Sequence, residues 1–425
     1  MLGTLLCMAI PAVMQAQEPQ KALTNARVDS LAEEVTTLDK VVKQLSKFKV
    51  SAYIQGQFQY GEEDASLKVG DGNEHDDKGF SRFGIRRGRL KFEYNDGIGT
   101  AAVQIDANDK GVSFRDLYIG LKDPWIKRNQ LMVGVFNRPF GYEVGYSTSG
   151  LESPERATII QYFFPDERDL GAMLTLRTKK TSPLSFMRLD AGIFAGNSIN
   201  RETDSRKDFI GRLGAEKPIG NWGKWGLGAS YYHGFVFNPT TEAYEMDGGR
   251  FVKVDMGETG TYMKRQYFGF DAQFSFLTSA GKTTLRGETL FGTQPGIATS
   301  SKSPNSGKRP ENLPENALYK RPFLGAFFYL IHDIGTSPFS AVLKYDMYDP
   351  NTELKGDEVG VADSFTSKTD LAQSTLGVGA LYRFNKHIRV QAYYEFNFNE
   401  KSSLIKGYES DRKDNVFTLR LQYKF

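Results

Sequence analysis

The chain predicts an all-β transmembrane barrel of sixteen closed, antiparallel strands, preceded by a short N-terminal α-helical coiled-coil segment. Three observations carry that prediction. Period-two alternation of apolar and polar residues runs through nearly all of the chain after residue 48. Short connections alternate with long ones, as in barrels whose turns are short at one membrane face. The 31 Phe, 21 Tyr and 43 Gly exclude a disordered chain, yet no apolar run approaches the roughly 20 residues that a helical span needs. A formal net charge of +3 is too small to point to nucleic acid.

Residues 1–17, MLGTLLCMAIPAVMQAQ, carry no charge, and the apolar run Leu2 to Val13 is too short to span a bilayer. It reads as the core of a secretory signal peptide ending at Ala16, although no Lys or Arg precedes it and Met14 is large for its place. Cys7, the only cysteine, would leave with the signal. The mature chain then holds neither a disulfide nor a Cys-based metal site.

Residues 18–47 are expected to form a periplasmic helix. Val28, Val35 and Val42 recur every seven residues, as do Leu31, Leu38 and Leu45. That spacing is the seam of a coiled coil, with a single amphipathic helix packed on the body as the alternative.

Residues 48–425 form the barrel. In the first strand Val50, Ala52, Ile54, Phe58 and Tyr60 oppose Ser51, Tyr53, Gln55, Gln57 and Gln59. In the last, Phe417, Leu419, Leu421, Tyr423 and Phe425 oppose Thr418, Arg420, Gln422 and Lys424. Such segments hold about nine to eleven residues, the length a tilted strand needs to cross a membrane. Strands are expected near 49–60, 82–94, 100–107, 114–122, 131–138, 168–177, 187–196, 209–216, 225–234, 265–276, 283–292, 323–332, 339–348, 374–384, 388–398 and 415–425. The segment Phe323–Ile331 is apolar on both sides and is the least clean of them. Trp125, Trp222, Trp225, Tyr348 and Tyr423, at strand ends, read as interface girdles.

Between residues 82 and 177 the sequence resembles the phosphate-selective porin O and P family. The stretches concerned are FGIRRGRLKFEY (83–94), VGVFNRPFGYE (133–143), SPER (153–156) and FFPDERDLGAML (163–174). The terminal Phe425 on an aromatic strand resembles the signal read by barrel-assembly machinery. The resemblance implies a homotrimeric, sixteen-stranded outer-membrane porin whose loop after strand five folds into the lumen as a constriction.

Charge inside such a lumen sets selectivity. Alternation sends Arg87, Arg89 and Lys91 inward, since a cation on the lipid face near the midplane costs about 2–4 kcal/mol. Guanidinium groups suit phosphate-like anions because they stay ionised and present a planar fork of donors. Arg87 and Arg89 are therefore the first candidates for anion contact. Lys91, and Arg138, Arg156 and Arg168 in or beside the expected constriction loop, are the others lining the pore. Against this, Glu93, Asp169, Asp190, Glu216, Glu288, Asp346 and Glu395 also point inward, so the arginines could instead pair with carboxylates and hold the wall. The acidic segment Gly61–Phe80 lacks the regular ligand spacing of a calcium loop and reads as solvated.

No P-loop, dinucleotide fingerprint or zinc motif is present, and His75, His233, His332 and His387 are scattered. Neither enzyme activity nor a cofactor is expected. The sequence thus points to an outer-membrane porin passing small hydrophilic solutes by diffusion, with an anion preference. Its partners would be membrane lipids, small anionic or polar solutes and further copies of itself. The alternatives are a barrel acting as a surface binding or adhesion module through its long loops, and a soluble β-sandwich.

Overall fold

The structure is a computed structural model that describes residues 17–68, 79–200, 202, 204–303 and 316–425. The expected signal peptide up to Ala16 and residues 69–78 of the acidic segment lie outside the described residues. A helix α1 (Gln17–Leu45) leads into β1 (Phe48–Gly61), β2 (Phe80–Asn95), β3 (Gly99–Asn108), β4 (Gly111–Lys122) and β5 (Gln130–Asn137). A one-and-a-half-turn helix α2 (Thr158–Phe163) precedes β6 (Arg168–Leu176), β7 (Met187–Phe194), β8 (Asp208–Ile219) and β9 (Gly223–Asn238). A small hairpin, β10 (Glu242–Asp247) and β11 (Arg250–Asp255), follows. The chain then continues through β12 (Thr261–Thr278), β13 (Gly281–Gly296), β14 (Leu318–Ile334), β15 (Phe339–Asp349), β16 (Gln373–Arg383), β17 (Ile388–Asn399) and β18 (Val416–Lys424).

Each wall strand pairs antiparallel with its neighbours, and β9 pairs directly with β12, leaving the hairpin outside the ring. Closure comes from β1, which pairs with β2 on one side and with β18 on the other, Phe58 opposite Leu419. The ring therefore has sixteen strands, all of them at the expected places, and no backbone edge is left open. The pleat sorts side chains as the alternation requires: Val50, Ile119 and Leu421 are 58%, 64% and 54% exposed on the outer face, whereas Gln55 and Arg420 on the inner face are 0% and 1%.

Four findings go beyond the sequence expectation. The hairpin of β10 and β11 occupies part of the expected loop 235–264, and its β10 runs parallel to the start of β14. Its turn is Gly248–Gly249, at φ 60° and 81°, a left-handed pair that residues with a Cβ resist. The two-sided apolar segment of β14 serves two surroundings, with Phe328 outside and Phe323, Phe327 and Tyr329 buried inside. Tyr348 is not a girdle residue: it is 1% exposed in the interior against Tyr162 and Phe163. Arg86, whose parity is that of the lipid-facing Leu90 and Phe92 and which is expected at the rim or beside a bulge, sits at a register shift where Gln55 faces Arg87 and Gly56 faces Ile85. The bulge turns adjacent arginines toward the same interior partner.

The helix α1 stands apart from this body. Val28, Leu31, Val35, Leu38, Val42 and Leu45 are all more than half exposed in the single chain.

Candidate functional site

The connection from β5 to β6, residues 138–167, does not stay outside the barrel. It runs through the interior and touches the wall on opposite sides by two different kinds of contact. Toward β12, β13 and β14 an apolar cluster dominates, beside hydrogen bonds to Glu288 and from Tyr329. Phe163 packs edge-on to Phe323 at 4.3 Å between ring centroids and stacks on Tyr267 at 5.2 Å. Ile159, Ile160, Phe140 and Phe164 join the same buried cluster. Glycines in the wall admit this approach: a Cβ on Gly269 would lie 2.6 Å from the Phe140 ring, and one on Gly325 would lie 2.8 Å from Ile159.

Toward β1, β2, β17 and β18 the contact is polar. Glu155 accepts hydrogen bonds from Arg86 Nε (2.7 Å) and Nη2 (2.9 Å), Arg87 Nη2 (2.8 Å) and Arg420 Nη2 (3.2 Å). Thr148 meets Tyr53 Oη at 2.5 Å and accepts from Arg89 at 2.8 Å. Gln422 donates to the Ser149 carbonyl (3.2 Å), and Arg420 to that of Pro154 (2.6 Å). Glu288 of β13 accepts from the backbone N–H groups of Tyr142 (3.0 Å) and Glu143 (3.1 Å). Asp346 of β15 accepts from Thr158 N at 2.8 Å at the start of α2.

A polar space large enough for many waters remains on each side of this crossing segment. On the long-loop side a cavity of about 440 Å³ is lined by Lys68, Arg156, Lys302, Lys344, Lys368 and Arg412 against Asp64, Glu155, Asp346, Glu395 and Asp414. On the short-turn side a cavity of about 560 Å³ is lined by Lys91, Arg138, Arg188 and Arg212 against Asp116 and Asp190. Cations exceed carboxylates by one in the first and by two in the second. Burial pushes the Lys302 ammonium down from its ordinary value, and its Nζ lies 4.6 Å over the Tyr162 ring. Burial raises Asp414 to about 6, with Asp411, Asp64 and Glu62 adding to the rise and Arg412 opposing it.

All six residues singled out in the sequence lie inside the barrel, and five of them are ion-paired. Arg87 is bound to Glu155 and Gln55, and Arg89 Nε lies 3.1 Å from Asp106. Lys91 reaches Asp116 (3.1 Å) and Glu93 (3.2 Å). Arg168 holds Asp116 (2.8 Å) and Glu167 (2.7 Å), and Arg156 holds the other oxygen of Glu167 (2.7 Å). These pairs join into one chain, Lys91–Asp116–Arg168–Glu167–Arg156, that ties β2, β4 and β6 to the crossing segment. Arg138 differs: it makes no ion pair with a carboxylate among the described residues, donates to the Pro165 carbonyl (2.9 Å) and stacks 5.0 Å over Phe164. Sequence reasoning missed Glu155 and Glu167, missed Arg115, which pairs with Asp106 at 3.2 Å, and gave Arg420 the inner face but no partner. Glu155 and Glu167 had a signal, since each stands beside an arginine in a stretch quoted above, SPER and FFPDERDLGAML.

Among the described residues no group of three His, Cys, Asp or Glu side chains could hold a metal ion. His233 lies on the outer face, with its ring centroid 6.5 Å from that of Tyr231.

No protein-family model matches the chain, and no curated protein matches it in sequence. Solved structures do. Pseudomonas putida OprB superposes with a TM-score of 0.57 at 9% identity, over 90% of this chain and 96% of that one. The outer membrane channel DcaP of Acinetobacter baumannii gives 0.51 at 12% identity, over 89% and 97%. OmpT, an outer membrane protein of Vibrio cholerae in its trimer form, gives 0.51 at 11%, over 89% and 99%. At these identities the likeness is one of fold.

Proposed function

We propose that the protein is an outer-membrane porin through which small hydrophilic solutes diffuse, with a mild preference for anions. The carrying observation is the opposition of the two faces. The outer face of a closed ring bears a continuous apolar band, while the inner face bears buried arginines, carboxylates and amides around polar chambers of several hundred Å³. Only a closed barrel satisfies every backbone group of a strand protein in hydrocarbon. The short turns then lie in the periplasm with α1, and the long loops lie outside the cell. The channel in the shared fold of DcaP supports the same reading.

Selectivity in this reading is the remainder after internal pairing. Arg87, Arg89, Lys91, Arg156 and Arg168 are largely neutralised, so they position the crossing segment and leave a small basic excess in the two chambers. That arrangement fits steric filtering with weak anion attraction better than a strong phosphate trap, and the resemblance to the phosphate-selective family stays a proposal. The apolar seam of α1 is read as the site where further copies join, giving a homotrimer with a coiled coil on the periplasmic side. Export through residues 1–17 and recognition of Phe425 by assembly machinery complete the proposal.

The test is electrical. Purified protein in planar bilayers should conduct in discrete steps, and reversal potentials in a salt gradient should show anions favoured. Folded barrels that insert without conducting would favour the adhesion reading instead.

A further inference from the structure

The outer face of the barrel is not uniformly bulky. Where β8, β9, β12 and β13 run side by side, the ladder sets Ala215 opposite Leu227, Leu227 opposite Ala272 and Ala272 opposite Gly287. Ala229 lies next in line beside Phe270. Small side chains in register leave a trough, and two adjoining cavities of about 640 and 380 Å³ meet along Leu227, Ala272 and Gly287. The exposed surface of the trough is almost wholly apolar, and the one outward hydroxyl, on Thr289, is donated to the Gly325 carbonyl at 3.2 Å.

Two features select an occupant. The trough lies halfway round the ring from β1, where α1 joins the barrel, so copies gathered around α1 would leave it facing outward. At its short-turn end, Lys217 shares the outward face with Ala215 and stands opposite Trp225 in the ladder. Lys217 is in no ion pair among the described residues, because Glu216 is taken by Lys224 at 2.8 Å. An indole beside a lone ammonium marks the level of lipid headgroups.

We infer that this trough seats one acyl chain of an anionic phospholipid in the leaflet on the short-turn side, with the phosphate held by Lys217. The inference rests on the proposed membrane location. Within the bilayer the chain only exchanges one hydrocarbon contact for another, so what holds it is close packing in the trough, and a single Lys near the surface favours an anionic headgroup by about fivefold.

The experiment uses the full chain in nanodiscs of mixed phosphatidylglycerol and phosphatidylcholine, with retained lipid counted by native mass spectrometry. The wild type should hold one phosphatidylglycerol per chain through delipidation. Filling the trough with Ala229→Phe and Ala272→Phe should cut retention about tenfold, and Lys217→Gln should reduce the preference for phosphatidylglycerol about fivefold. Equal retention by the filled variant, or equal retention of both lipids by the wild type, would overturn the inference. So would a fall in oligomer mass on filling, which would give the trough to a second copy. If the filled variant does not fold, the surface change Lys217→Gln still decides through its lipid preference. A wild type that fails to insert into bilayers would instead sink the proposed membrane location.

Discussion

Glu155 is the point at which the crossing segment is most heavily bound, and replacing it with Gln is the sharpest test of what that segment does. The carboxylate is 6% exposed and receives four hydrogen bonds from three guanidinium groups. Glu155→Gln keeps the shape but removes the charge, and turns an NH₂ toward donors. Removing one partner of a buried ion pair costs about 3–5 kcal/mol. Arg86 retains 23% side-chain exposure and the amide oxygen still accepts, so the lower end, about 3 kcal/mol, is expected here. That would weaken anchoring of the segment about a hundredfold. It would also leave Arg86, Arg87 and Arg420 without their shared counter-charge. Single-channel recordings should then show larger and noisier conductance, and the reversal potential should shift toward anions. Folded Glu155→Gln with wild-type conductance, noise and reversal potential would refute the idea that this clamp sets the passage.

Other expectations follow from separate features. Arg87→Ala with Arg89→Ala frees Glu155 and Asp106 and should lower the anion-to-cation permeability ratio, opposite in sign to Glu155→Gln; an unchanged ratio would confine both arginines to holding the wall. Phe163→Ala should cost about 3–5 kcal/mol of packing between segment and wall, seen as earlier urea unfolding and faster proteolysis of residues 144–157. Deleting residues 18–46 should dissociate trimers in mild detergent, and undiminished trimers would assign α1 another task. For Asp414 the folded pKa, about 6, lies above the ordinary carboxyl value, so the folded loop favours the protonated form. Protection of amides 399–415 should be greatest in acid and fall as pH rises through 6; Asp414→Asn should remove that dependence in hydrogen exchange corrected for intrinsic rate.

The wall was legible because one physical demand, apolar outside and wet inside, is repeated on every strand. Sixteen strands were found from it, and Phe323–Ile331 read poorly because its inner face meets Phe163 and Tyr267 instead of water. Tyr348 misled for the same reason. The hairpin at Gly248–Gly249 carries a Gly-Gly turn signal, but it lies inside a long connection whose flanking strands are only six residues each. Inward direction for Arg87 and Arg89 could be read from alternation, but their partner could not. Glu155 lies 68 residues from Arg87 and 265 from Arg420, and no local pattern encodes a contact at that distance. The apolar quartet Ile159, Ile160, Phe163 and Phe164 was the available hint that this connection needed a dry surface of its own.

The internal crossing has a bearing on how the cylinder is completed. Tyr53 and Gln55 on the first strand, and Arg420 and Gln422 on the last, grip the same stretch from Thr148 to Glu155. The first and last strands are thus stapled to a common strut as well as zipped to each other. A cylinder whose final seam is gripped from within is held to a single register, since a slip of β1 against β18 would also break both strands' contacts to the strut.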